Sequence, residues 1–176
     1  TPCGRWTSPV WDLVGKILNK PVHALLRETQ PQQKTAAGPA SQVPVYDGSI
    51  YFTDLRPQHL QDWRDEFKRE LDRSMAAGHR AFKVKVGRGK LWMRMAEGDK
   101  RDIDVIRHIR QHLGPDILLA ADANDGYDLE RTKRFVTETA ETKLAFIEEM
   151  FQDDVPKYLE LKAFMREHGI ASLIAD

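Results

Sequence analysis

The order of apolar and polar residues divides the chain into alternating helical and extended segments. Over residues 6–28, Trp11, Val14, Leu18 and Val22 recur at helical spacing, and Pro21 is expected to end the regular helix. Residues 29–42 are rich in Gln, Pro, Ala and Gly without periodicity and read as a linker or mobile loop. From residue 43 the texture changes. Val43–Tyr46 and Ile50–Phe52 suggest strand, interrupted by a turn at Asp47-Gly48. A helix follows from about Gln58 to Ala77, with Leu60, Trp63, Phe67 and Leu71 as its apolar stripe and Gly78 as its stop. Ala81–Val86 reads as a strand, and residues 87–98 have no regular period.

Asp99 fits an N-cap, with Asp102 in the capping-box position, for a helix faced by Ile103, Ile106, Ile109 and Leu113 and closed by Gly114-Pro115. Ile117–Asp122 is a strand, Asp125-Gly126 a turn, Leu129 to about Thr139 a helix and Leu144–Glu148 a strand. Asp154 caps a helix carrying Tyr158, Leu161 and Met165 that Gly169 stops, and Ser172–Ala175 is a last strand. This β-α alternation favours a parallel sheet with crossover helices, either doubly wound or part of an eight-stranded barrel. No glycine-rich GxGxxG turn or P-loop follows any strand, which weakens a nucleotide-binding reading.

Composition narrows the class. With 31% charged and 41% hydrophobic residues, neither a disordered polymer nor a membrane protein is expected. The single cysteine, Cys3, excludes an intrachain disulfide and fits a reducing, cytoplasmic compartment. Twenty-seven basic residues balance 27 acidic ones, which argues against a nucleic-acid partner. No apolar run approaches the length of about 20 residues that crosses a bilayer, so no membrane partner is expected.

The charges on the strands are the informative feature. Alternation puts Lys83 and Lys85 on one face and Phe82, Val84 and Val86 on the other. Asp122 and Asn124 share a face in the same way. Each signal alone has an ordinary reading: an exposed edge strand for the lysines, an Asx turn for Asp122, a helix start for Glu148 and Glu149, the chain end for Asp176. Together they mark successive strand ends. The steps from Lys85 to Asp122, Glu148 and Asp176 are 37, 26 and 28 residues, against about 30 for one βα unit. Such groups should converge, and clustered carboxylates without Cys or well-spaced His suit a hard cation such as Mg²⁺. The six histidines are read as surface or packing residues. Trp92, Met93 and Met95 read as a lid over the site, a packed loop or a subunit contact.

Residues 81–87 (AFKVKVG), 120–124 (AADAN) and 145–149 (AFIEE) resemble the metal and base motifs of the enolase superfamily, in its mandelate racemase/muconate-lactonising branch. Residues 11–26 resemble the helix closing that family's capping domain. The resemblance implies an α/β fold: the first five βα units of a modified (β/α)₇β barrel over 43–176, a capping-domain remnant over 1–28 and a linker over 29–42. It implies Asp122, Glu148 and Asp176 as Mg²⁺ ligands, Lys85 as the acid/base, Lys83 as a nearby positive charge depressing the proton affinity of Lys85, and Asn124 as a substrate contact. It further implies a small carboxylate substrate, an acid sugar or hydroxy acid, and a homo-oligomer. The expected activity is removal of the proton α to a carboxylate through an enediolate, foremost in an acid-sugar dehydratase. A racemase, a cycloisomerase and a non-catalytic metal- or ligand-binding relative are the alternatives. Met150 departs from the usual proline after the paired acids. The chain stops at Asp176 within an element, and so is expected to be incomplete and inactive alone.

Overall fold

The computed structural model describes residues 4–29, 43–56 and 62–175. The chain forms two compact units, residues 1–43 and 44–176. In the first, α1 (Gly4–Leu18) and α2 (Val22–Thr29) flank the break at Pro21 that the sequence predicts. The expected linker beyond residue 29, Leu60 of the expected helix stripe, and Asp176 lie outside the described residues.

The second unit is built on five parallel strands: β1 (Asp47–Ile50), β2 (Ala81–Lys85), β3 (Leu118–Asp122), β4 (Phe146–Glu148) and β5 (Leu173–Ala175). They hydrogen-bond in the order β1-β2-β3-β4-β5. A doubly wound sheet reverses its strand order at a switch point. This one does not, so its strands follow one another as in a barrel wall. Between them run α3 (Trp63–Ala76), the short α4 (Arg88–Leu91) with the long α5 (Met95–Leu113), α6 (Leu129–Glu138) and α7 (Val155–Glu167).

Period-2 alternation on the strands meets 3.6-residue periodicity on the helices in one core. Phe82, Val84, Leu119, Ala121 and Ile147 are fully buried in a cluster with Phe67 and Leu71 of α3, Ile106 and Ile109 of α5, Phe135 of α6 and Leu161 of α7. The helices α3, α5 and α7 stop where glycines of positive φ follow, at Gly78, Gly114 and Gly169. At the other end of α6, the Asp128 side chain accepts the Arg131 N–H at 2.8 Å and so satisfies one exposed donor of the first turn. Asp128→Ala is expected to cost about 1 kcal/mol, read as a lower urea midpoint at unchanged slope.

Three local expectations are corrected. Asp47-Gly48 does not interrupt a strand but lies in β1, which spends four residues, Asp47 to Ile50, against three of β2, Phe82 to Val84. The Asp47 carboxylate accepts the Ser49 N–H at 2.8 Å, so the turn chemistry makes a bulge within the ladder. Residues 87–98 are not irregular but supply α4 and the first turn of α5. Asp99 and Asp102 are therefore not caps. Both are buried inside α5, where Asp99 pairs with Arg131 and Arg134 and Asp102 with Arg88. Gly98 serves that packing rather than breaking the helix, because a Cβ there would collide with the backbone of Gly89.

Candidate active site

The strand register brings the predicted residues into one row. Lys85 of β2 pairs with Asp122 of β3, Asp122 with Glu148 of β4, and Glu148 with Ala175 of β5. In-register residues of a parallel sheet point to the same face. The apolar neighbours Val84, Ala121 and Ile147 therefore turn to the helices while the charges turn away. Lys83, two residues before Lys85, shares its face.

The charges close on one another. Lys83 Nζ lies 2.8 Å from Asp122 Oδ2 and 3.0 Å from both carboxylate oxygens of Glu148. Lys85 Nζ lies 2.5 Å from Asp122 Oδ2 and 2.6 Å from Asn124 Oδ1. Asn124 holds a left-handed backbone (φ 42°) and donates its amide to Glu149, itself left-handed (φ 45°). Small polar residues tolerate that region best, and strain there collects at functional sites. Tyr46 and Tyr51 flank β1 and set their rings 5.3 Å from Lys83 Nζ and 5.7 Å from Lys85 Nζ, within cation–π range.

Electrostatics follow from this contact set. Burial alone would raise the Asp122 carboxyl, but hydrogen bonds from Lys83 and Lys85 outweigh it and hold it below the usual carboxylate range. Burial would likewise lower the Lys83 ammonium, and the bonds to Asp122 and Glu148 carry it well above the ordinary lysine value. Lys83 is thus a firmly charged bridge between two acids.

Beside this row, Asn124, Asp125, Glu149, Gln152 and Asp153 line a cavity of about 330 Å³. A larger one, about 680 Å³, lies between α7 and β5 and carries none of the strand-end charges. The first has the chemistry and the second only the size, so the charged row defines the site.

Among the described residues, no three His, Cys, Asp or Glu side chains gather as a metal-binding group. Two of the three predicted ligands are described, and their donor set fits a hard cation. Both are carboxylates, on adjacent strands, already sharing one positive charge in the Lys83 ammonium. Three of the described histidines have partners away from the row: His108 faces the Arg64 carbonyl, His112 pairs with Asp72, and His168 stacks on Phe164. Trp92 and Met95 remain largely exposed, with the Trp92 ring 6.4 Å from Phe52.

Sequence reasoning missed a second group beneath the row. Arg88, wholly buried, is held by Asp54 and Asp102, and Tyr127 donates to Asp102. The available signal was an arginine placed directly after Gly87, two residues beyond the end of β2. Among the described residues no helix is long and apolar enough to cross a membrane.

Comparison with known proteins agrees with the fold. The chain is 28% identical over 158 residues to arabinonate dehydratase of Saccharolobus solfataricus, covering 90% of this chain and 35% of that enzyme. It is 33% identical over 140 residues to 3,6-anhydro-alpha-L-galactonate cycloisomerase of Streptomyces coelicolor, covering 80% and 32%. A mandelate racemase/muconate lactonizing protein from Geobacillus sp. Y412MC10, solved with magnesium and tartrate, superposes with a TM-score of 0.79 at 35% identity, over 96% of this chain and 42% of that one. The chain thus spans about a third of the length of the curated relatives it matches. The enolase C-terminal domain-like family model matches residues 66–172, from α3 to the edge of β5 and across the whole charged row. The chain belongs to that family, in the mandelate racemase/muconate-lactonising branch of the enolase superfamily, with a sheet that forms part of its barrel.

Proposed function

We propose that the protein containing this chain removes the proton α to the carboxylate of an acid sugar and eliminates water, as a Mg²⁺-dependent dehydratase. The observation that carries this reading is the Lys85–Asp122–Glu148 row, with both lysines turned onto the acids. The likeness to arabinonate dehydratase supports the substrate class. Asp122 and Glu148 would hold the cation, and Asp176 completes the proposed ligand set. When bound, Mg²⁺ supplies Lewis-acid stabilisation to charge building on the substrate carboxylate.

The chain's own groups do the rest. Lys85 Nζ, as the neutral amine, accepts the α-proton while the C–H electron pair moves onto the carboxylate. As that pair returns to form the Cα–Cβ double bond, the Cβ–O bond breaks and the hydroxyl takes up a proton and leaves as water. Asn124 Oδ1, 2.6 Å from that Nζ, fixes its direction and stands where a substrate hydroxyl can be met. Lys83, held charged by its two acids, offers a second positive centre to the same carboxylate. The proposed domain plan is a capping-domain remnant over 1–28, a linker over 29–42 and a barrel portion over 43–176. The protein is proposed to work as a cytoplasmic homo-oligomer.

Cycloisomerisation is the second reading, favoured by the 33% identity to the anhydrogalactonate enzyme. Both begin with the same proton transfer. Incubation of a panel of acid sugars in D₂O with Mg²⁺ is expected to give deuterium at the α-carbon of residual substrate or at the former β-carbon of a keto-deoxy product, and product analysis separates a keto-deoxy acid from an isomer. Chelation should stop exchange and added Mg²⁺ restore it. Mg²⁺ binding without exchange on any acid of the panel would instead make this a non-catalytic ligand-binding relative.

A further inference from the structure

Three residues beyond Lys85 lies a polar cluster that touches neither Asp122 nor Glu148. The Arg88 side chain has no exposure to solvent. Its Nε and Nη2 donate to Asp54 at 3.0 and 2.6 Å, and its Nη1 donates to Asp102 at 2.6 Å and to the Lys85 carbonyl at 3.2 Å. Asp102 Oδ2 accepts three further bonds: the Gly87 N–H at 2.8 Å, the Arg88 N–H at 3.1 Å and the Tyr127 hydroxyl at 2.9 Å. Two consecutive amides on one oxygen form a nest, opened by the left-handed Gly87 (φ 98°). A Cβ on Gly87 would meet the Ala123 carbonyl at 2.8 Å, so the loops after β2 and β3 lie back to back.

The cluster balances its own charge: Arg88 and the partly exposed Arg101 face Asp54 and Asp102. Its donors and acceptors are matched, which leaves no free group for a ligand. What it does join is the segment after β1 through Asp54, the end of β2 through Lys85 and Gly87, α5 through Asp102 and the loop after β3 through Tyr127. The Tyr127 amide goes on to the Met150 carbonyl after β4, at 2.9 Å. Burial and the adjacent Asp102 push the Tyr127 phenol well up, so it stays a donor.

We infer that Arg88, Asp102 and Tyr127 are positioning residues that set Lys85 against Asp122 by gripping the backbone at residues 85–88. The inference rests on Lys85 being the acid/base, but its test does not require turnover. Amine acylation of the folded protein, read by peptide mass spectrometry, reports how tightly each lysine is held. Tyr127→Phe and Asp102→Asn should raise acylation of Lys85 relative to Lys83 by about 2- to 10-fold, the opening that loss of one buried hydrogen bond allows. Lys83 sits upstream of the grip on the same strand and controls for general loosening. In a catalytically active preparation the same variants should lower kcat with KM unchanged. An unchanged Lys85:Lys83 ratio, or a parallel rise of both, overturns the inference. Should Asp102→Asn fail to fold, Tyr127→Phe decides, since it removes one hydroxyl and keeps the ring against Phe135. A changed ratio in a protein without α-proton exchange would leave the grip standing and sink the dehydratase reading alone.

Discussion

Lys85→Met is expected to lower α-proton exchange by roughly 10²- to 10⁴-fold while leaving the fold intact. Met matches the lysine stem in length, so the buried methylene packing survives. Asp122 is not stranded by the change, because Lys83 still donates to it at 2.8 Å. The damage should therefore fall on proton transfer rather than on stability. The check is solvent deuterium incorporation at the α-carbon, measured beside thermal unfolding. Exchange that persists at the wild-type rate in a folded variant would move the base role away from Lys85. Lys83→Met is a different experiment. It removes the bridge between Asp122 and Glu148 and leaves two like charges facing each other, so an effect there mixes electrostatics with chemistry.

Such a contrast could be framed from the sequence because the row is written in local patterns. A charged residue at every second position of an apolar strand fixes which face it takes, and a repeat near the length of a βα unit fixes which strand ends align. Lys83, Lys85, Asp122 and Glu148 needed nothing more. Other features depended on partners far along the chain. Asp99 and Asp102 precede an apolar periodic run and so look like caps; only Arg131, Arg134 and Arg88, brought in by folding, make them interior residues of α5. The β1 bulge was equally hidden. Asp47-Gly48 carries turn chemistry, and whether a turn signal ends a strand or kinks it depends on the neighbouring strand and on Ser74 of α3, which donates to Asp47. Folding adds partners to Lys83 as well. By pattern alone it is a charge next to another lysine, and its two carboxylate partners, on distant strands, make it a bridge that holds its own proton firmly.

The largest stability effect is expected at Arg88. Arg88→Met should cost about 3–5 kcal/mol, the range for removing one partner of a buried ion pair. Asp54 and Asp102 have no exposed side-chain surface, so neither carboxylate can recover its lost donors from water. An exposed pair such as Arg107–Glu141, about half in solvent at each end, should change by less than about 1 kcal/mol when truncated. The pH dependence separates a stranded charge from lost packing. Burial already pushes the Asp102 carboxyl up, against the pull of Arg88. Without the guanidinium that carboxyl rises further, and the folded state then binds a proton more tightly than the unfolded chain does. Such a group favours folding at low pH and opposes it as pH climbs through the raised value. The deficit of Arg88→Met, measured by urea unfolding, should therefore be smaller at pH 5 than at pH 8. A pH-independent deficit would assign the loss to the missing volume of the arginine, and a deficit below 1 kcal/mol would show that water reaches Asp54 and Asp102 after all.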